Sequence, residues 1–183
     1  MGDNLPIVDL GTGRTTTQVA TGAQHTCALL DDHNIKCWGR GYHGRLGSGS
    51  TDNVGSEPGQ MGDNLPIVDL GTGRTATQVS GGDYHTCAVL DDDNVMCWGT
   101  GSGGRRGSGS TDGVGFGPGQ MGDNLPTVDL GMGRSAKQVL AGDQHTCAVL
   151  DDSSLKCWGY GSGGVLGSGS KDKVGLEPGQ MGD

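Results

Sequence analysis

The residues most able to do chemistry come in a fixed frame. His25-Thr-Cys27, followed ten residues later by Cys37-Trp38-Gly39, returns as His85, Cys87 and Cys97 and again as His145, Cys147 and Cys157. Two cysteines at this spacing can form a disulfide, bind zinc or remain reduced in a core. No Cys-x-x-Cys occurs and no histidine stands at finger spacing, so the pattern does not resemble a zinc ribbon. A histidine near a cysteine can activate a thiolate. On a strand, however, residues two apart share a face mainly for packing. The three equivalent histidines could ring one metal ion. The competing reading is that a histidine beside threonine at a strand entrance satisfies a loop carbonyl.

Other motifs carry less. Gly39-x-Gly41-x-x-Gly44 matches a dinucleotide fingerprint, but that motif works by opening a helix onto a pyrophosphate. Here Arg45-Leu-Gly-Ser-Gly-Ser50 follows, where a helix is not expected. The serines at Ser48 and Ser50 lack a nucleophile elbow. Asp31-Asp32, Asp91–Asp93, Asp151-Asp152 and Asp3, Asp63 and Asp123 could hold calcium in oxygen-rich turns, but no calcium-loop pattern frames them. Turn chemistry accounts for aspartate at such places. The expectation is therefore no catalytic residue, no metal site and no cofactor.

What positions these residues is a repeat. Positions 1–60, 61–120 and 121–180 align without a gap, and 181–183 begin a fourth copy. The copies are so alike that they suggest recent duplication or design, either of a longer array or of a chain whose ends meet in an oligomer. Each copy offers four strand candidates, in the first Pro6–Leu10, Thr17–Ala20, His25–Leu30 and Ile35–Gly39. The link Asp31-Asp-His-Asn34 between the last two predicts a hairpin, in which Cys27 falls opposite or nearly opposite Cys37, within disulfide reach. Closing such a loop contributes about 2.5–3 kcal/mol in the chain-entropy model. Trp38, Trp98 and Trp158 then lie on the face away from the sulfurs. The stretch from Gly39 to Pro66 is long for an unstructured connection, which predicts either a packed functional loop or a short strand near Val54.

Few Leu, Ile, Val and Phe and a net charge of −9 would ordinarily flag disorder. Thirty-nine glycines at repeated positions point instead to specified turns. A small four-stranded sheet cannot bury both faces alone, so copies must stack. The fold class expected is all-β, with three tandem 60-residue β-propeller blades of four antiparallel strands, a partial propeller completed by oligomerisation or by a longer parent chain. No apolar run is long enough to span a membrane. Met1-Gly-Asp-Asn4 shows no signal peptide, whereas disulfides imply an oxidising compartment. An extracellular or cell-surface location is expected, with any targeting segment outside this sequence.

The run Gly-x-x-His-Thr-Cys-Ala-x-Leu, then Cys-Trp-Gly-x-Gly-x-x-Gly-x-Leu-Gly-x-Gly, resembles the repeat of the regulator of chromosome condensation family, whose members are seven-bladed propellers. The cysteine pair resembles variants in exported members. The usual Gly-Gln-Leu-Gly stands here as Gly44-Arg-Leu-Gly47, Gly104-Arg-Arg-Gly107 and Gly164-Val-Leu-Gly167. The resemblance implies several functions. Chromatin binding with nucleotide exchange on a small GTPase would favour a basic surface, which this acidic chain lacks, and nucleic acid is not an expected partner. Ultraviolet perception in plant relatives resembles a Gly-Trp-Arg-His-Thr cluster, but Ala23-Gln24, Asp83-Tyr84 and Asp143-Gln144 precede His-Thr here. Inhibition of an enzyme, as in a secreted bacterial relative, fits the compartment.

Scaffold must repeat, whereas a binding surface diverges. Arg40, Tyr42 and His43 become Thr100, Ser102 and Gly103, then Tyr160, Ser162 and Gly163, and Tyr84 replaces Gln24. The pair Arg105-Arg106 and Phe116 are further single-copy features. Aromatics and arginines anchor interfaces, so these positions are candidate binding residues, against the competing reading that they record simple drift in solvated loops. The reading is a non-enzymatic interaction or structural module whose partner is a protein or a second copy meeting it head to tail. The alternatives are a subunit of a self-assembling ring or filament, and a protein-binding regulator or enzyme inhibitor.

Overall fold

The computed structural model describes residues 4–182. Nine strands form three antiparallel sheets in the order β1-β2-β3, β4-β5-β6 and β7-β8-β9. The first sheet is β1 (Thr16–Thr21), β2 (His25–Leu30) and β3 (Ile35–Gly39). The second is β4 (Ala76–Gly81), β5 (His85–Leu90) and β6 (Val95–Gly99). The third is β7 (Ala136–Ala141), β8 (His145–Leu150) and β9 (Leu155–Gly159).

Each sheet therefore has three strands, not the expected four. The stretch matching Pro6–Leu10 forms no strand in its own sheet. In the second copy it runs along the preceding one, where the Val68 amide donates to Ile35 O (2.8 Å) and Ile67 bridges Lys36. Pro66 removes one amide and the contact lies on a sheet edge, so the pairing stays short. The third copy repeats the hydrogen bond, Val128 donating to Val95 O (2.7 Å), without the bridge. Val54 makes a single bridge to Gly39; the rest of that long connection holds two 3₁₀ turns, Tyr42–Gly44 and Gly62–Asn64, and a largely exposed loop in which Gln60 Oε1 accepts from the amides of Gly55, Ser56 and Glu57.

The first hairpin turn closes with the Leu30 amide on Asn34 O (2.9 Å), with His33 left-handed (φ 63°), and the other two repeat it with Leu90 on Asn94 O and Leu150 on Ser154 O. The register places Cys27 directly opposite Cys37, Cys87 opposite Cys97 and Cys147 opposite Cys157. The Cα atoms of each pair are 4.1 Å apart and all three pairs are disulfides.

The apolar core lies between sheets, not within them. One cluster joins the Cys27–Cys37 face of the first sheet, with Leu29, Ile35 and Leu46, to Val79, Leu90 and Trp98 of the second. Another repeats the arrangement between the second and third. The tryptophans lie on the face away from the sulfurs, as alternation requires. Trp98 and Trp158 each point into the preceding sheet and are fully buried, whereas Trp38, with no sheet before it, is half-buried.

Candidate functional site

The histidine–threonine pair joins neighbouring sheets. His25 Nε2 lies 2.8 Å from Thr86 Oγ1, and the Thr86 hydroxyl donates to Arg45 O (2.8 Å). Because that hydroxyl's one proton is committed to the carbonyl, it accepts from His25 Nε2–H, which fixes the imidazole tautomer. Trp98 Nε1 donates to the same Arg45 O at 3.0 Å. The whole set recurs as His85, Thr146, Trp158 and Arg105 O. The sequence reading had the histidine reaching a loop carbonyl itself. Here it reaches the next sheet's threonine, which passes the bond on. Burial, with the Arg45 charge as a lesser cause, lowers the His25 pKa to about 4. For His85 burial again leads, followed by Arg105, and the pKa falls to about 3. Both rings are neutral at physiological pH.

This latch holds the loop Tyr42–Gly47 against the second sheet. A Cβ on Gly44 (φ 75°) would lie 2.4 Å from Val114 O, so only glycine lets the loop approach. Tyr42–Gly44 makes one 3₁₀ turn with left-handed His43 at its centre, and no longer helix opens from the glycine-rich motif.

At the rim of this junction the structure gathers Arg40, Tyr42, His43, Tyr84 and Arg105, five of the eight candidate binding residues. The Arg45 guanidinium sits over the Tyr84 ring at 4.9 Å and that of Arg105 at 5.7 Å. His43 meets Tyr84 edge-on at 5.6 Å and Tyr42 at 3.9 Å with the rings tilted by 50°, while Arg40 lies 5.6 Å from the Tyr42 centroid. Such cation–aromatic contacts contribute about 0.5–2 kcal/mol each, more as water is excluded. A cleft of about 420 Å³ is lined by Arg40, Tyr42, His43 and Tyr84 with Ala23, Gln24 and Arg45.

Arg45 anchors the cluster from beneath, donating through Nε to Tyr42 O and through Nη1 to Asp83 O. Its Nη2, like Arg105 Nη1, is buried without a hydrogen-bond partner. Burial and then the neighbouring guanidiniums hold the His43 pKa below its usual value. Asp83 is pushed upward, chiefly by burial and then by a hydrogen bond and repulsion from Asp143.

Three candidates lie elsewhere. Arg106 is buried, donates from Nη2 to Asp112 O, and has its pKa lowered to about 10 by burial. Phe116 is partly exposed on the long loop, its amide donating to Gln120 Oε1. Tyr160 lies at the next junction with Lys173 Nζ over its ring at 4.7 Å. Sequence reasoning missed the role of Arg45, whose only signal was that it replaces the family's usual glutamine.

Models of the regulator of chromosome condensation (RCC1) repeat match residues 16–45, 76–105 and 136–165, and a second model of that repeat matches residues 34–89, together more than half of the chain. The chain belongs to the RCC1 repeat family. It is 33% identical over 162 residues to the ultraviolet-B receptor UVR8 of Arabidopsis thaliana, an alignment covering 87% of this chain and 33% of that protein. It is 29% identical over 163 residues to the E3 ubiquitin-protein ligase HERC2 of Homo sapiens, covering 88% of this chain and 3% of HERC2. The chain thus spans a third or less of these relatives' length. Among solved structures, human WBSCR16 matches with a TM-score of 0.68 at 20% identity, over 91% of this chain and 40% of that one. Yeast RCC1 (Prp20), in its structure bound to Kap60, matches with a TM-score of 0.62 at 20% identity, over 88% and 36%. These likenesses establish the RCC1 propeller fold, of which the three sheets are consecutive blades.

Proposed function

We propose that this chain is a non-enzymatic protein-binding propeller segment of an oxidising, extracellular or cell-surface setting, and that it recognises its partner through the arginine–aromatic cleft between the first and second blades. One observation carries the reading. The cleft is built from loop positions at which the copies differ, while the latch, disulfides and tryptophans that support it repeat. Tyr42 and Tyr84 expose their rings, Arg40 offers an exposed guanidinium, and buried Arg45 and Arg105 hold the assembly in place. Rigid aromatic and arginine side chains supply most of the energy at protein interfaces. RCC1 in yeast has been solved bound to Kap60, which supports a protein as the class of partner. The three disulfides support the oxidising compartment.

Quantitative affinity capture from an extracellular fraction, with the wild-type chain and an Arg40→Ala/Tyr84→Ala variant side by side, tests this. A partner whose capture falls at least tenfold with the variant supports it. Equal capture by both chains refutes the assignment of the cleft.

A further inference from the structure

At each internal junction the loop Gly44–Gly47, or its copy Gly104–Gly107, fills a cleft in the next blade. The places a Cβ would occupy on Gly104 and Gly107 lie 2.3 Å from Val174 O and 2.8 Å from Trp158 Nε1. In the same loop of the third copy, Gly164-Val-Leu-Gly167, no described residue lies within 4 Å of those positions on Gly164 or Gly167. At the opposite end of the chain the matching cleft is open. It measures about 530 Å³ and is lined by Trp38, Gly39, Val54 and Gly55 among others. These are the first-blade counterparts of the residues that embrace the loop at the internal junctions.

We propose that the cleft at Trp38 takes the Gly164–Gly167 loop of a second copy of this chain, so that copies associate head to tail.

The remaining half-contacts agree. Among the described residues the His145 imidazole has no threonine across from it and Thr26 has no histidine, whereas the two internal pairs sit at 2.8 Å. Val165 O lacks the threonine and tryptophan donors that Arg45 O and Arg105 O receive, and Trp38 and Thr26 are the donors left over. Val19 is 58% exposed while its counterparts Val79 and Val139 are buried, and Leu155 is 64% exposed while Ile35 and Val95 are buried. Val8, exposed here, corresponds to Val68 and Val128, whose amides bond to Ile35 O and Val95 O, so Leu155 O is the waiting acceptor.

A second copy is the occupant these features specify, because each half-site is the complement of one the chain itself already carries and satisfies twice. A preceding or following repeat in a longer array would fill the same half-sites in cis. For these 183 residues by themselves, the proposed occupant is the second copy. The contact is heterologous, so it closes into a ring where the rotation per blade permits and otherwise extends. The Trp38 cleft borders the arginine–aromatic cleft, sharing Gln24 and Arg40 with it, whereas Val19 and Leu155 line neither cleft.

The test uses light scattering and sedimentation of the intact chain over a wide concentration range, with V19K blocking one end and L155K the other. Both sites are already exposed in the single chain, so the charge should leave folding intact. Mass spectrometry of the disulfides and near-ultraviolet circular dichroism check that it has, and V8K with V165E forms a second pair. The wild type should show a mass of at least two chains that grows with concentration. Tryptophan emission should shift to shorter wavelength, because Trp38 is the one tryptophan still half-exposed. Each variant alone should be a single chain, and the two mixed should give a pair and nothing larger. A wild type that remains a single chain at every concentration overturns the proposal, as does assembly that survives in either variant or a mixture that fails to pair.

Discussion

The histidine latch makes stability depend on pH well above the range where carboxylates titrate. In the unfolded chain His25 and His85 take up protons near 6.5, whereas folded they resist protonation until about 4 and about 3. Between these values the unfolded state binds more protons, so stability falls as pH falls. Each ring withdraws about 1.4 kcal/mol per pH unit below 6.5, so at pH 5 the pair has removed about 4 kcal/mol. That is a large share of the roughly 5–15 kcal/mol by which domains are stable. Asp32, Asp63, Asp92, Asp123 and Asp152 have depressed pKa values, so their contributions disappear only at lower pH. Asp83, raised by burial, acts in the opposite sense as the carboxylate range is approached. Urea titrations of the wild type and of His85→Gln at pH 7.5 and pH 5 measure the effect. The wild type should lose about 4 kcal/mol and the variant, though weaker at pH 7.5, about half as much. Equal stability of the wild type at both pH values, or an unchanged loss in the variant, would refute the latch as described.

Thr86→Val removes the hydroxyl between His25 and Arg45 O and leaves a buried donor unpaired, so it should cost about 1–3 kcal/mol by thermal or urea unfolding. Lys36 is buried and donates from Nζ to Leu10 O (2.9 Å) and Gly62 O (2.8 Å), whereas the equivalent second-blade residue is Met96. Lys36→Met should therefore destabilise by about 1–3 kcal/mol, with the denaturation midpoint as readout. The Cys147–Cys157 bridge faces the open end and is half-buried, while Cys87–Cys97 is buried. Mild reductant with timed alkylation should label Cys147 and Cys157 first. Gly22→Ala would set a Cβ 2.2 Å from both Gly82 O and His25 Cε1, separating the first two blades at a cost of several kcal/mol, seen as a lowered midpoint.

Local order was legible in the sequence because its causes are local. Period-two alternation with a four-residue polar link determined the hairpins, and a ten-residue spacing across such a hairpin brought Cys27 to Cys37. The 60-residue recurrence and the sparse apolar content together required stacking. Tertiary structure decided everything that crosses from one repeat to the next. The stretch at Pro66–Leu70 pairs with the preceding blade because that blade's edge strand is the one with free carbonyls. His25 serves Thr86, 61 positions away, a partner no spacing rule identifies. Arg45 becomes an anchor only because Tyr84 of the next copy arrives above it, and Arg106 leaves the candidate surface because its loop turns it inward. The sequence records what each residue can bond to within its own strand, and the rotation between blades selects which of those groups meet.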